Sequence, residues 1–387
     1  MSGLYITIKP IYPKIDGGCV AMASFLNHLI NLHPKIDHLT VSTYKHPFDI
    51  SEYNKVLNKK IEVYSVFVNT KISVVNAFLN LFSTSSYNID RFYNLNFENK
   101  LKELLKNNYE VIYIESIYLL PYLTTIRTYS KAKVILRTPN IEHKIWENLS
   151  IKTKNPLKKI YLIHLTKNLK KFELNQFYRV DGILTISNVD YSYINKIQNT
   201  KPTLNLPFAI KSDKLEKIIE NQYFFIGAYN WKPNFDAVLY LIHELFPRIL
   251  KINPNAKLHI AGSYTPKSLY QFQNPSIIIH GKVSSVKDFM KKHGILLAPI
   301  FSGSGVRIKI LEALSYGIPV IGSKIAIQGI ESKACFIAEN TEDYINQINF
   351  ISEMNINTIQ KNAIEYIDSN YNPTEIEKKL NAFISSC

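Results

Sequence analysis

Short runs rich in β-branched residues alternate with helical patterns along most of this chain, and that alternation leaves few folds open. Leu4–Ile8 reads as a strand, followed by Pro10, Pro13 and Gly17-Gly18 and then a helical pattern from Val20 to Leu32. Further strand-like runs fall at Thr40–Thr43, Ile61–Val68, Val111–Glu115, Val134–Arg137 and Gly182–Ile186, with helical Leu101–Asn107 among them. The stretch 70–95 mixes both patterns. Near Thr200–Pro207 the pattern pauses at two prolines and restarts with Lys211–Glu220. Strands ending in glycine follow at Tyr223–Gly227, Lys257–Gly262 and Ser276–Gly281. Helices are read at Phe235–Leu250, Val286–Lys292 and Val306–Tyr316, and strands at Ile295–Pro299 and Pro319–Ile321. Repeated β–helix–β order predicts parallel sheets covered by helices on both faces. The expected fold class is α/β, with two doubly wound domains at 1–207 and 208–370 and an amphipathic helix within 371–387. Ligands in such folds bind at the carboxyl ends of the strands.

The length of 387 residues suits two domains, and a hydrophobic share of 46% supplies both with cores. This composition excludes a disordered chain, a collagen-like chain and a small disulfide scaffold. No apolar run approaches the ~20 residues of a spanning helix, and the N-terminus lacks the features of a secretory leader. Cys19, Cys335 and Cys387 never stand in C-x-x-C spacing, and the ten histidines show no ligand spacing, so no metal site and a cytoplasmic setting are expected.

The net charge of +15 calls for an anionic partner: nucleic acid, an acidic membrane or a phosphorylated small molecule. Residues 1–200 carry 26 of the 46 basic side chains and 15 of the 31 acidic ones. The densest block is Lys152, Lys154, Lys158, Lys159, Lys167, Lys170 and Lys171, opposed by Glu173 alone. With Ile160, Leu162, Ile163 and Leu165 between the lysines, 155–178 reads as a basic amphipathic helix. Either it is a solvated face or it rests on anionic headgroups, each nearby lysine contributing about 1 kcal/mol.

The sharpest local feature is Ser302-Gly-Ser-Gly-Val-Arg-Ile-Lys-Ile-Leu-Glu312, in which a strand feeds a Gly/Ser loop that opens a helix. Gly303 and Gly305 let the backbone approach a ligand, and Ser302 or Ser304 can cap the helix. The helix N-terminus, Arg307 and Lys309 together suit an anion such as a diphosphate. Glu312 can accept hydrogen bonds from two vicinal hydroxyls. The alternative is an ordinary strand–loop–helix with surface charges.

This segment resembles the donor loop of the family-four retaining glycosyltransferases, and the resemblance extends in order along almost the whole chain. Pro13–Gly18 is similar to the family's N-terminal glycine loop, and Arg137-Thr-Pro-Asn-Ile-Glu142 to the segment after a central strand. Asp181–Asp190, Phe225–Asn234, Leu258–Gly262, His280–Val283 and Ile327–Ile330 follow in matching order. The resemblance implies the GT-B fold of two facing Rossmann-like domains, with the C-terminal helix crossing back to the first. It implies a nucleotide-diphosphate sugar as substrate, no cofactor, and transfer with retention to a glycan or polyprenyl-linked acceptor in surface polysaccharide synthesis.

By the same resemblance, Arg307, Lys309 and Glu312 are the catalytic set. Gly17, Gly18, Gly227, Ser304 and Gly305 join them in holding the donor. Asn140 and Glu142, which follow a strand end, are the acceptor-side candidates, the alternative for Glu142 being a simple pair with Lys144. Ser304 stands where many members carry a first glutamate, and Pro139 where relatives of this branch carry histidine. No Asp-x-Asp pair occurs among the eleven aspartates, so metal-independent chemistry is expected, with Arg307, Lys309 and helix N–H groups meeting the leaving diphosphate. The implied setting is the cytoplasmic face of a membrane, contacted through Lys152–Lys171, with no nucleic-acid partner. A sugar-nucleotide epimerase of the same fold and a non-catalytic nucleotide- or glycan-binding protein are the rival readings.

Overall fold

The computed structural model describes residues 2–57, 61–83, 85–198, 200–303 and 306–387. The chain divides into two compact units: Met1–Phe208 with Ile376–Cys387, and Ala209–Glu375.

The first unit is built on seven strands: β1 (Ser2–Thr7), β2 (Lys35–Ser42), β3 (Ile61–Phe67), β4 (Val111–Glu115), β5 (Lys133–Thr138), β6 (Gly182–Thr185) and β7 (Thr203–Asn205). All pair in parallel in the order β3-β2-β1-β4-β5-β6-β7. A parallel sheet is covered on both faces, so its inner strands read as continuous apolar runs rather than alternating ones. Leu4, Ile6, Ile112, Ile114, Leu136 and Ile183 are accordingly all buried. A buried ion pair stands among them. Glu115 and Arg137 are register partners on β4 and β5; Arg137 Nη1 donates to Glu115 Oε1 at 2.6 Å, and the Tyr5 hydroxyl donates to Oε2 at 2.7 Å.

The C-terminal helix Pro373–Ser386 belongs to this unit from Ile376 onward. A Cβ at Gly182 would lie 2.5 Å from Cys387 Sγ and 2.8 Å from Phe383, so glycine at the start of β6 is what lets the helix seat there. Lys133 Nζ donates to the Ile384 carbonyl, and His28 Nδ1 lies 3.0 Å from Glu377 Oε1.

The second unit holds β8 (Gln222–Ile226), β9 (Lys257–Ala261), β10 (Ile277–Gly281), β11 (Ile295–Ala298), β12 (Val320–Gly322) and β13 (Cys335–Ile337). Their order, β10-β9-β8-β11-β12-β13, repeats that of the first six strands of the other sheet, again all parallel. The chain therefore reverses direction across each sheet between its first and fourth strands, which opens a crevice at their carboxyl ends.

Three expectations change. Thr203–Asn205, where the prolines suggested a pause, is the edge strand β7; proline is tolerated at an edge because no further ladder needs its N–H. The pattern restarts only at β8, and Lys211–Glu220 forms neither helix nor strand. Its neighbourhood commits backbone donors outward instead, with Ile210, Asp213 and Leu215 N–H groups bonding the carbonyls of Tyr371, Ser315 and Tyr316. The mixed stretch after residue 70 resolves into short helices, Val74–Leu79 and Tyr87–Asp90.

Candidate functional site

At the crevice of the second unit, β8 and β11 lie side by side with Tyr223 opposite Ile295 and Phe224 opposite Leu296. The chain leaves β8 through Gly227 and enters the helix Lys232–Tyr240, whose N-cap is Trp231. It leaves β11 through Pro299–Gly303 and enters the helix Ile308–Ser315. Sequence-distant residues meet between these two exits. Lys309 Nζ donates to Asn234 Oδ1 at 2.8 Å, and Asn234 Nδ2 donates to the Ala228 carbonyl at 2.9 Å. The Lys309 ammonium also sits 4.0 Å from the centre of the Phe225 ring, while the Arg307 guanidinium lies 5.1 Å from that of Trp231.

Two glycines make this arrangement possible. A Cβ at Gly227 would fall 2.6 Å from Asn234 Nδ2 and 2.9 Å from Lys309 Nζ. Gly303 has a φ of +105°, and a Cβ there would press on the Trp231 ring at 2.8 Å. The helix begins at Ile308, not Val306. Arg307, extended at φ −87° and ψ 97°, is its N-cap, and it makes no side-chain cap hydrogen bond. Capping by Ser302 is thus replaced by an arginine N-cap; Ser304 and Gly305 lie outside the described residues.

The electrostatics follow from burial. Arg307 is buried and Lys309 half-buried. Desolvation, then the Arg307 charge, push the Lys309 pKa well below the usual lysine range, and Glu312 pulls it back. Burial lowers Arg307 as well, though guanidinium stays charged at any ordinary pH. Two cations held close in a low-dielectric crevice create a strong local demand for an anion. Glu312 is half-buried on the same helix, one turn beyond Lys309.

The other candidates belong to the first unit. Gly17 and Gly18 open the helix Gly17–Leu32, but its N-terminus is already served by an anion: Asp16 accepts from Cys19 N–H at 2.9 Å and is held by Lys9 Nζ. Asn140 and Glu142 follow β5. Glu142 does not pair with Lys144, whose ammonium lies over the Tyr193 ring; its carboxylate accepts from the Tyr118 hydroxyl at 2.8 Å. Burial, opposed by that hydrogen bond and reinforced by Glu173 and Asp190, raises the Glu142 pKa to about 7. The next residue, His143, is structural. Its ring bonds Glu173 Oε2 and the Tyr193 hydroxyl, and the fully buried Glu173 also accepts from the Glu142 and His143 N–H groups. Glu173 therefore serves a helix start through its hydrogen bonds.

In the lysine block, Lys152 ends the helix Glu142–Lys152, Lys154 stands just after it, and the other five lie on the helix Pro156–Phe177, with all seven exposed. The helix is not cleanly amphipathic: Leu162, Leu165 and Leu169 are buried, whereas Leu157, Ile160 and Ile163 are exposed among the lysines. His164 and Asn168 tie it to the carbonyls of Asn80 and Ser83, beside Phe78, Leu79 and Phe82, which are exposed too. No helix among the described residues is long and apolar enough to cross a membrane.

The two sheets and their shared strand order define the architecture, and similarity to solved structures extends over the full chain. HepE of Anabaena, solved with UDP and glucose, superposes with a TM-score of 0.65 at 12% identity, covering all of both chains. TarM of S. aureus, solved with fondaparinux, α-GlcNAc-glycerol and UDP, gives 0.69 at 9% identity, covering 99% of this chain and 100% of TarM. The fold is GT-B. The pneumococcal O-GlcNAc transferase GtfA, solved with UDP and GlcNAc, gives 0.66 at 10% identity, covering 100% and 99%. Residues 220–353, which include Gly227, Asn234, Arg307, Lys309 and Glu312, match the family model described as Glycosyl transferases group 1. An uncharacterised 44.6 kDa protein in the cps region of Klebsiella pneumoniae is 23% identical over 302 residues, covering 72% of this chain and 75% of that one. Asn234 carries no role in the sequence reading, because an internal amide that fixes a lysine leaves no periodic trace.

Proposed function

We propose that this GT-B protein is a glycosyltransferase. It moves a sugar from a nucleotide-diphosphate donor, with retention, to a glycan or lipid-linked acceptor in surface polysaccharide synthesis. One observation carries the reading: two desolvated cations, Arg307 and Lys309, converge at the carboxyl ends of β8 and β11, within the stretch that matches Glycosyl transferases group 1.

Departure of a nucleoside diphosphate concentrates negative charge on its phosphoryl oxygens. Preorganised cations stabilise that charge most strongly where water is excluded, and they need not reorganise as the bond breaks. Arg307 offers a planar fork to two phosphate oxygens, and Lys309 a point charge whose direction Asn234 fixes. Glu312 accepts from the ribose hydroxyls. The UDP present in the HepE, TarM and GtfA structures supports a nucleotide donor, and the cps-region relative supports polysaccharide assembly. The same residues supply positive charge without a metal ion. Glu142, ionising near neutral pH, is the acceptor-side residue, with Asn140 beside it.

The lysine-rich helix and its apolar neighbours form the surface that meets an anionic bilayer, where a lipid-linked acceptor would reside. Apolar side chains insert and lysines remain at headgroup level. The deciding experiment is a thermal-shift screen of nucleotide sugars followed by transfer assays with the stabilising donor. Transfer to an acceptor, lost in Lys309→Ala, supports the reading; stabilisation without turnover on any acceptor, or release of an altered free sugar, rejects it.

A further inference from the structure

Three histidines remote from one another in sequence converge in the second unit. His259 lies in the middle of β9, His280 near the end of β10, and His293 just ahead of β11. Each offers one ring nitrogen, and those three nitrogens lie within 4.8 Å of one another. His259 Nδ1 and His280 Nε2 are 3.0 Å apart, a ring-to-ring hydrogen bond whose proton a bound ion would displace. Two imidazole ligands of a tetrahedral zinc ion, at metal–nitrogen distances of about 2.0–2.1 Å, place their nitrogens about 3.3 Å apart. The 3.0 Å pair lies close to that spacing, whereas the His259 and His293 rings, with centres 3.9 Å apart, must turn to share one ion.

The partners of the rings decide which nitrogens are available. Gln222 Oε1 lies 2.5 Å from His259 Nε2; a carbonyl oxygen only accepts, so Nε2 carries the proton and Nδ1 keeps its lone pair. The Phe289 carbonyl lies 2.6 Å from His293 Nδ1, which likewise carries the proton and leaves Nε2 as the lone-pair nitrogen. Metal-binding histidines characteristically donate their second ring N–H to an oxygen in this way, which fixes tautomer and ring orientation. The third ring sits where the β9–β10 register shifts between Ile279 and Gly281, a bulge that re-aims a side chain. His280 is exposed, whereas His259 and His293 are buried, so the cluster opens to water on one side.

Burial comes first in lowering the pKa of all three rings, taking His259 to about 3. Lys257 and Lys292 add unfavourable positive field at His259 and His293 respectively. The donor set is three neutral nitrogens with no carboxylate. That favours borderline cations such as zinc, nickel or copper over magnesium, calcium or manganese, which prefer oxygen.

We propose that His259, His280 and His293 form a divalent transition-metal site of the zinc class, with water in the remaining position. The bound ion fastens β9, β10 and the entry to β11 together, and takes no part in the proposed donor chemistry.

The test uses the untagged full chain, stripped with chelator and titrated with zinc by calorimetry, alongside cobalt titration read by visible absorption. The expected result is one equivalent of zinc, a rise in melting temperature, a cobalt spectrum of a low-coordinate nitrogen site, and no response to magnesium. His280→Gln, at an exposed position, should keep the metal-free melting temperature and lose at least tenfold in zinc affinity. A wild-type chain that binds no zinc, or a His280→Gln chain that binds it with unchanged affinity, overturns the assignment.

Discussion

Lys309 Nζ donates to Asn234 Oδ1 at 2.8 Å across the space that a side chain at residue 227 would occupy. The glycine after β8 thus does more than end a strand, because its bare Cα admits the amide that aims the lysine. Gly227→Ala would place a methyl 2.6 Å from Asn234 Nδ2 and 2.9 Å from Lys309 Nζ. The lysine end can yield, so the chain should still fold while its donor site is disordered. The expected outcome is a loss of at least tenfold in kcat/KM, about 1.4 kcal/mol, with a melting temperature close to wild type. Asn234→Ala should produce the same loss, and full activity in both variants would detach the lysine's aim from function.

Direct removal of the charges tests the same site without touching the lysine's support. Arg307→Ala, Lys309→Ala and Glu312→Ala should each reduce transfer by tenfold or more, and the two cation variants should weaken nucleoside-diphosphate binding as well. Wild-type turnover in all three variants would discard the site.

Protonation of Lys309 gives a thermodynamic signature. Burial and Arg307 hold its pKa well below the ordinary ~10.4 in the free protein, and a bound diphosphate raises it again. Only the ammonium binds the anion, so affinity is greatest below the free-state pKa and falls as pH rises through it. Above that pKa, binding must take up a proton. Calorimetry in two buffers of different ionisation enthalpy should reveal this uptake for wild type and its absence in Lys309→Met. A pH-independent affinity without proton uptake would contradict the assignment.

Much of the architecture was readable in the sequence because burial on both faces of a parallel sheet writes apolar runs such as Val111–Ile114 directly into the chain. Thr203–Asn205 escaped because three residues between prolines carry no period. The strand-to-helix loop around Arg307 was legible from its glycines, but its N-cap was not, since serines flanking a helix start suggest a cap that the backbone then sets elsewhere. The histidine cluster was invisible for a deeper reason. His259 and His280 are brought together by the pairing of β9 with β10, and His293 joins them from the approach to β11, so spacing along the chain holds no record of the cluster.

The membrane-facing proposal separates two contributions. Neutralising Lys158, Lys159, Lys170 and Lys171 removes up to about 4 kcal/mol of attraction to an anionic surface at ~1 kcal/mol each. Polar replacement of Phe82 and Leu157, which are 81% and 79% exposed, removes the apolar component. Sedimentation with anionic vesicles should show reduced binding in both variants, and higher salt should weaken wild type but hardly affect what remains of the lysine variant. Binding of soluble nucleotide sugar should be unchanged in both. Vesicle binding unaltered by either set would leave the helix as a solvated face.

The acceptor-side role proposed for Glu142 ties transfer to pH. Its carboxyl sits in a desolvated position near Glu173 and Asp190, which raises its pKa to about 7 despite the hydrogen bond from Tyr118. An acceptor hydroxyl needs the ionised form as its hydrogen-bond acceptor, so transfer should rise as pH passes upward through about 7. Stability moves in the opposite direction. The folded state holds this proton more tightly than the unfolded chain, whose glutamate ionises near ~4.3, so the contribution to stability shrinks as pH climbs from there towards about 7. Glu142→Gln should remove the rising limb of the transfer profile and flatten this component of the stability profile together. Tyr118→Phe, which removes the bond holding the charged form, should shift the limb to higher pH without abolishing it. A transfer profile identical in wild type and Glu142→Gln would confine this carboxyl to a structural role.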